Sequence, residues 1–271
     1  MSDATAAAAA TDGRYLAGRH AVVTGGGRGI GAAIAEELAR LGADLTLMGR
    51  DASVVEQHAA GVAARFGVRA TSVRCDVADE ASVSVAFAIA RERLGDPSVL
   101  VNNAGQAESA RFGDTTSAQW ERMLAVNLTG TFLCTQQALP AMLAARAGRV
   151  VNVASVAGLR GYKTMTAYCA AKHGVVGLTR ALALETAKHG VTVNAVCPGY
   201  TDTAMADAAI RNISESLGKT RDEARAMLER LNPRGTLIEP REVANAVAWL
   251  LSPDAGAITG QTIVVAGGEV M

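Results

Sequence analysis

Short apolar runs and helix-period stretches alternate along this chain without a break from about residue 20 to residue 266. Few folds satisfy that pattern. His20–Thr24, Asp44–Met48, Val68–Arg74, Ser98–Val101, Gly148–Ala154, Val191–Val196 and Gln261–Ala266 read as strands. Most are apolar at nearly every position rather than at alternate ones, the mark of a strand buried on both faces. Between them lie helix patterns over about Ala32–Leu41, Ala52–Phe66, Asp79–Leu94, Ser117–Arg146, Thr166–His189, Thr203–Arg230 and Glu242–Leu251, with Ser117 the expected N-cap of its helix. Connections of this length join parallel strands through right-handed crossovers. The expected fold is therefore α/β, a doubly wound parallel sheet with helices on both faces.

No composition shift or linker divides the 271 residues, so residues 17–271 read as a single domain. Residues 1–16 are rich in Ala and Thr and lack a basic n-region followed by an apolar core. They read as a disordered leader and not as a secretory signal. Formal net charge is zero, which gives no long-range attraction to nucleic acid or to an anionic membrane. No apolar run is long enough to span a bilayer. Cys75, Cys134, Cys169 and Cys197 are scattered, form no C-x-x-C and have no zinc-type spacing with His. No metal is expected, and reduced thiols suit a cytoplasmic protein.

The chemistry sits at strand ends. Gly25, Gly29 and Gly31, with Arg28 and Ile30 between them, form a turn between the first strand and the first helix. Glycines there let backbone approach a pyrophosphate, and the helix N-terminus offers free N–H groups and a favourable dipole. An NAD site of this kind ends its second strand in Asp or Glu to bind the ribose 2′-OH. Here that place holds Gly49 and Arg50; Asp44 is at the wrong end of the strand and Asp51 lies beyond the Arg. A guanidinium clamps a 2′-phosphate that a carboxylate would repel, so NADP is expected rather than NAD, with Arg28 able to reach the same phosphate. Asp76-Val77 ends the third strand and Asn103-Ala104-Gly105 the fourth. Both fit an adenosine site and both fit ordinary turn or capping chemistry.

Tyr168 and Lys172 stand at i and i+4, on one helix face. A phenol titrates at about 10, and a fixed ammonium nearby favours the phenolate. A Tyr so tuned passes a proton to or from an alcohol oxygen. Ser155, at a strand end thirteen residues earlier, fits either a carbonyl-oxygen ligand or a loop cap. It has no surrounding nucleophile elbow, which excludes a hydrolase nucleophile. Asn127 lies mid-helix, where Asn is a poor helix former, and points to a local bend or a bound water.

Taken together, Thr24–Gly31, Asn102–Gly105, Asn127, Ser155, Tyr168-x-x-x-Lys172 and Pro198-Gly199 resemble the short-chain dehydrogenase/reductase family in order and spacing, over about residues 17 to 268. The resemblance implies a seven-stranded Rossmann-type sheet and hydride transfer between a nicotinamide and a carbinol carbon. It implies Tyr168 as general acid/base, Ser155 orienting the substrate oxygen, Lys172 binding the nicotinamide ribose and lowering the Tyr pKa, and Asn127 holding a water. Pro198, Gly199 and Thr201 would meet the carboxamide end of the nicotinamide. It also implies a homotetramer formed through the helices at 117–146 and 166–189. Ala266, where many relatives carry Asp, departs from the pattern and bears on assembly contacts.

Residues 167–203 resemble two groups especially: 3-hydroxybutyrate dehydrogenases with acetoacetyl-CoA or 3-oxoacyl reductases, and aromatic polyketide ketoreductases. Relatives acting on free 3-hydroxybutyrate hold its carboxylate with polar residues; the matching positions here are Ala107, Ala157 and Met165. An apolar pocket leaves a carboxylate unpaired, which favours a 3-oxoacyl or 3-hydroxyacyl thioester, on CoA or acyl carrier protein. The polyketide group carries Pro-Gly-Gly where this chain has Gln106-Ala107-Glu108. Residues 203–235 read as a substrate lid, on which Arg211, Lys219, Arg221, Arg225 and Arg230 fit either carrier phosphates or ordinary surface charge. A catalytically silent NADP-binding sensor or scaffold on the same fold is the alternative of a different class.

Overall fold

The computed structural model describes residues 13–271. Most of the expected leader lies outside the described residues. Its boundary at residue 16 is too late: Leu16 is fully buried, its N–H donates to the Leu41 carbonyl at 2.9 Å, and the Tyr15 hydroxyl donates to the Ala248 carbonyl at 2.7 Å. Two large apolar residues after a run of Ala and Thr give no periodicity to read, yet they close one edge of the core.

Seven strands form one parallel sheet: β1 His20–Thr24, β2 Asp44–Gly49, β3 Ala70–Arg74, β4 Val99–Asn102, β5 Gly148–Val153, β6 Val191–Pro198 and β7 Thr262–Val265, in the order β3-β2-β1-β4-β5-β6-β7. The helices are α1 Gly29–Arg40, α2 Ala52–Phe66, α3 Glu80–Leu94, α4 Ser117–Leu124, α5 Gly130–Ala145, α6 Thr166–Thr186, α7 Ala204–Leu217, α8 Arg221–Glu229 and α9 Pro240–Leu250. Side-chain alternation divides the core into two layers. Ala21 and Val23 of β1 pack with Ile34, Leu38, Val55 and Val247 of α1, α2 and α9. Val22, between them, packs with Phe87, Cys134 and Met142 of α3 and α5 on the other face. Successive strands are added outward to one side from β1 to β3 and to the other side from β4 to β7, so the order switches between the parallel neighbours β1 and β4, and the crevice outside the carboxyl ends there is where open α/β sheets bind ligands.

Two expected helices are broken. The stretch 117–146 holds α4 and α5 with a π-helical turn, Ala125–Thr129, between them. Its N-cap is Thr116, whose hydroxyl accepts from the Gln119 N–H at 3.2 Å, one residue earlier than expected. The stretch 203–230 divides at Gly218, whose φ of +61° ends α7, and Thr220 with Glu223 forms a capping box that starts α8. Among the described residues, no helix is long and apolar enough to cross a membrane.

Candidate active site

A cleft of about 710 Å³ runs along the carboxyl ends of the strands. Gly25 to Gly31, except Gly26, line one end of it, with Arg50, Asp76, Val77, Asn103, Ala104 and Gly105; Ser155, Tyr168, Lys172, Pro198, Gly199 and Thr201 line the rest. Asn127 also lines it, so the fold brings every candidate catalytic and cofactor-binding residue to one crevice.

The turn that opens the cleft excludes a side chain at two positions. Gly25 has φ +65°, and a Cβ on Gly31 would fall 2.1 Å from the Gly25 carbonyl oxygen and 2.4 Å from Asn103 Nδ2. The first turn of α1 carries no acidic side chain, so its N–H groups and dipole face the cleft uncompensated. Asn103 commits its amide N–H groups to the scaffold. Its Nδ2 donates to the carbonyls of Thr24 at 3.0 Å and Gly25 at 3.2 Å, tying the end of β4 to the glycine turn. Thr24 Oγ1 accepts from the N–H groups of both Asn103 and Ala104 at 3.0 Å. One oxygen of Asp76 caps its own turn by accepting from the Ala78 N–H at 3.1 Å.

At the end of β2, Arg28 and Arg50 are exposed on the cleft rim. Asp51 is engaged as the N-cap of α2: its carboxylate accepts from the Ser53 hydroxyl at 2.8 Å and the Val54 N–H at 3.3 Å. Those bonds hold its pKa below the usual value, Ser53 most strongly. Asp44 is paired with Arg69 at 2.6 Å at the far end of the strand. The rim therefore offers two guanidiniums and no uncommitted carboxylate at the end of β2, a set of donors that fits an adenosine 2′-phosphate.

Tyr168, Lys172, Ser155 and Asn127 meet at the middle of the cleft. Lys172 is only 4% exposed; its Nζ donates to the Val153 carbonyl at 2.9 Å and lies 5.7 Å from the centre of the Tyr168 ring. Gly105 lets the loop after β4 close onto Asn127, since a Cβ there would fall 2.9 Å from Asn127 Oδ1. Burial lowers Lys172 to about 8. Burial also pushes the Tyr168 phenol up to about 12, a hydrogen bond with Ser155 opposing it. The expected lowering of the Tyr pKa by Lys172 is thus not what the surroundings produce. The ammonium sits over the ring and is bonded to Val153, so desolvation outweighs it. Ser155 Oγ also accepts from the Ala157 N–H at 3.1 Å, which is the expected loop cap, and its bond with the Tyr168 phenol keeps the hydroxyl in the cleft.

Asn127 explains the break in its helix. Its Oδ1 accepts from the Gln106 N–H at 3.2 Å, and its Nδ2 donates to the Gln106 carbonyl at 2.9 Å and the Met123 carbonyl at 3.0 Å. The π-helical turn aims this amide at the loop after β4 instead of at solvent. Both amide hydrogens are committed to protein carbonyls.

Ala107, Ala157 and Met165 line the substrate end, as their positions predict. The pocket is not uniformly apolar, because Glu108, Ser109 and Lys163 line it as well. Tyr162 and Tyr200 are cleft residues that motif spacing missed; an aromatic midway between Ser155 and Tyr168, and one directly after Pro198-Gly199, were the available signals. The lid charges are mostly consumed: Lys219 pairs with Glu223, Arg221 with Asp207, and Arg225 with both Asp202 and Glu229. Of these five cations, those three belong to the surface reading rather than to carrier phosphates.

A family model described as Enoyl-(Acyl carrier protein) reductase matches residues 25–269. 2-(S)-Hydroxypropyl-CoM dehydrogenase 3 of Xanthobacter autotrophicus is 41% identical over 247 residues, 91% of this chain and 94% of that protein. The 3-oxoacyl-[acyl-carrier-protein] reductase FabG of Aquifex aeolicus is 38% identical over 253 residues, covering 93% and 98%. Among solved structures, a variant of actinorhodin polyketide ketoreductase with NADPH superposes with a TM-score of 0.89 at 38% identity, covering 93% of this chain and 97% of that one. A seven-stranded parallel sheet with its cleft at the β1/β4 switch point, together with these matches along nearly the whole length, makes the chain a member of the short-chain dehydrogenase/reductase family, oxidoreductases acting on CH–OH and keto groups.

Proposed function

We propose that this chain interconverts a 3-oxoacyl thioester and its 3-hydroxyacyl form, with NADP(H) as the partner. The observation that carries the reading is the convergence of two hydroxyls, Ser155 and Tyr168, above a buried Lys172 in a cleft continuous with the glycine turn. When bound, NADP(H) supplies or accepts the hydride. The glycine turn at the α1 N-terminus would hold its pyrophosphate, Arg28 and Arg50 its 2′-phosphate, Asp76 and Val77 its adenine end, and Pro198, Gly199 and Thr201 its carboxamide end. Absence of an uncommitted carboxylate at the end of β2 is what favours NADP over NAD.

Each side chain then has a task. Ser155 donates to the ketone oxygen and fixes it beside Tyr168. Tyr168 gives its proton to that oxygen in reduction and takes it back in oxidation. Its high pKa keeps it protonated until the oxygen gains charge. Lys172 holds the ribose and keeps a positive charge under the developing phenolate, in a site where low dielectric strengthens that interaction. Asn127 positions Gln106 beside Gly105 and so shapes the floor of the cleft.

Ala107, Ala157 and Met165, the positions that hold the carboxylate in the 3-hydroxybutyrate relatives, offer it no partner here, which supports a thioester; Lys163 on the same wall is the cation a free acid would have to use instead. We infer a lid at 203–235: Thr203 Cγ2 would lie 3.2 Å from a Cβ on Gly29, and Met205, Asn212 and Ile213 line the cleft. A polyketide ketone is the second reading, favoured by the structural likeness to the actinorhodin ketoreductase. The test is NADPH oxidation with acetoacetyl-CoA against free acetoacetate. Faster turnover of the thioester is expected; equal or faster turnover of the acid overturns the thioester assignment.

Phe132 of α5 and Leu184 of α6 are 46% and 84% exposed, with Trp120 of α4 beside the same helices in the chain. We propose that these helices pack against second copies in a homotetramer, which light scattering checks. The proposed location is the cytoplasm, supported by four free, buried thiols.

A further inference from the structure

Between Ser155 and Tyr168 the cleft wall has little structure of its own. After the turn Val156–Gly158, residues 159–165 form no helix or strand, and Thr164 has φ +66°. A segment without a ladder is held by whatever its polar groups reach. On one side it is tied to the loop after β4: the Ala110 N–H donates to the Thr164 carbonyl at 2.9 Å, and Ser109 Oγ donates to Thr164 Oγ1 at 2.8 Å. On the other side it is tied to the end of the chain. Glu269 Oε1 accepts from Arg160 Nη2 at 3.0 Å and from the Tyr162 hydroxyl at 2.5 Å, and the Glu269 carbonyl accepts from Arg160 Nη1 at 3.2 Å. The Arg160 guanidinium lies 4.6 Å from the centre of the Tyr162 ring.

The Glu269 side chain is 1% exposed. A carboxylate so buried is expensive unless paired and hydrogen-bonded, and here one oxygen takes both a guanidinium and a phenol. Its second oxygen abuts Gly199, where a Cβ would fall 2.9 Å from it. Glu269 is therefore wedged between the substrate wall and the loop after β6. Because Tyr162 donates its hydroxyl proton to Glu269, that proton is withdrawn from any ligand in the cleft.

We propose that Glu269 is a positioning residue that sets substrate recognition: through Arg160 and Tyr162 it fixes the wall at 159–165, so that Tyr162 meets the substrate as an apolar surface. Ketones with methylene or ring carbon beyond the carbonyl suit such a wall. The proposal rests on the reading above that the cleft takes a ketone beside Tyr168.

Glu269→Gln, Tyr162→Phe and the double variant test it, in two measurements on the full chain. In the first, amide hydrogen exchange in Glu269→Gln speeds up about tenfold over 159–165 and is unchanged over 25–31, as expected from losing one charge-assisted anchor. In the second, with acetoacetyl-CoA and NADPH, each single variant raises the ketone KM about tenfold while NADPH affinity holds, and the double variant adds less than about twofold. Unchanged exchange at 159–165, an unchanged ketone KM, full additivity, or an equal loss of NADPH affinity would each overturn the proposal. If the parent protein reduces no ketone at all, the assigned activity fails, and the exchange measurement still decides whether Glu269 holds the wall.

Discussion

The two ends of the cleft are held by opposite means. At the glycine turn the backbone does the work, and the defining feature is missing side chains: Gly31 lies so close to the Gly25 carbonyl that no Cβ fits. At the substrate end, side chains do the work, with Arg160, Tyr162 and Glu269 holding a wall that has no ladder. The phenols at this end contrast in the same way. Tyr168 faces a buried ammonium and hydrogen-bonds with a hydroxyl; Tyr162 faces a buried carboxylate, which with burial pushes its pKa up. One is placed to release a proton to a ligand, the other is locked as a donor within the protein. A backbone-built site tolerates one geometry, whereas a side-chain-built wall is adjustable.

The contrast breaks first at Gly31. Gly31→Ala is expected to lower Tm by roughly 10 °C, from overpacking of about 3 kcal/mol, and to abolish NADPH binding. A melt and a calorimetric titration check it; a variant that binds NADPH normally would show that the turn is not sterically closed.

Lys172→Met comes next, with turnover expected to fall on the order of 10³-fold. It also carries a pH signature. Folding lowers the Lys172 pKa from its ordinary 10.5 to about 8, so the unfolded chain binds the extra proton between those values. The resulting penalty is full below about pH 8 and is relieved as pH rises toward 10.5. Melts of parent and variant at pH 7 and pH 10 should therefore differ by an amount that shifts in favour of the parent at pH 10. A pH-independent difference would contradict the buried ammonium.

The smallest of these effects is at the rim. Arg50→Asp is expected to move the preference between NADPH and NADH, measured as the ratio of kcat/KM for NADPH over NADH, by on the order of tenfold toward NADH, with Arg28 retaining part of the clamp. No change in that ratio would return Arg50 to the ordinary surface.

Legibility followed the same division. Where backbone geometry dictates residue type, the pattern was readable: the glycine turn, the strand ends and the Tyr168–Lys172 spacing all fell in one cleft. Asn127 was readable as a fault in a helix, and the fault is a local one: a π-helical turn that aims the side chain at Gln106. Glu269 was not readable, because its partners are more than a hundred residues away and nothing local marks it as buried. The lid charges stayed ambiguous between carrier phosphates and surface charge for the converse reason: a row of cations shows in a sequence, but their carboxylates at Asp202 and Asp207 become partners only when the helices pack. The pKa of Tyr168 failed similarly, since spacing reports proximity to Lys172 and says nothing of desolvation.

The central claim is that the Tyr168 phenol hands its proton to a ketone oxygen. Reduction of acetoacetyl-CoA by NADPH, compared between the parent protein and Tyr168→Phe with NADPH affinity measured on both, tests it most directly. The account predicts a loss of at least about 10²-fold in kcat with NADPH affinity within about twofold. Turnover by Tyr168→Phe equal to that of the parent would contradict it.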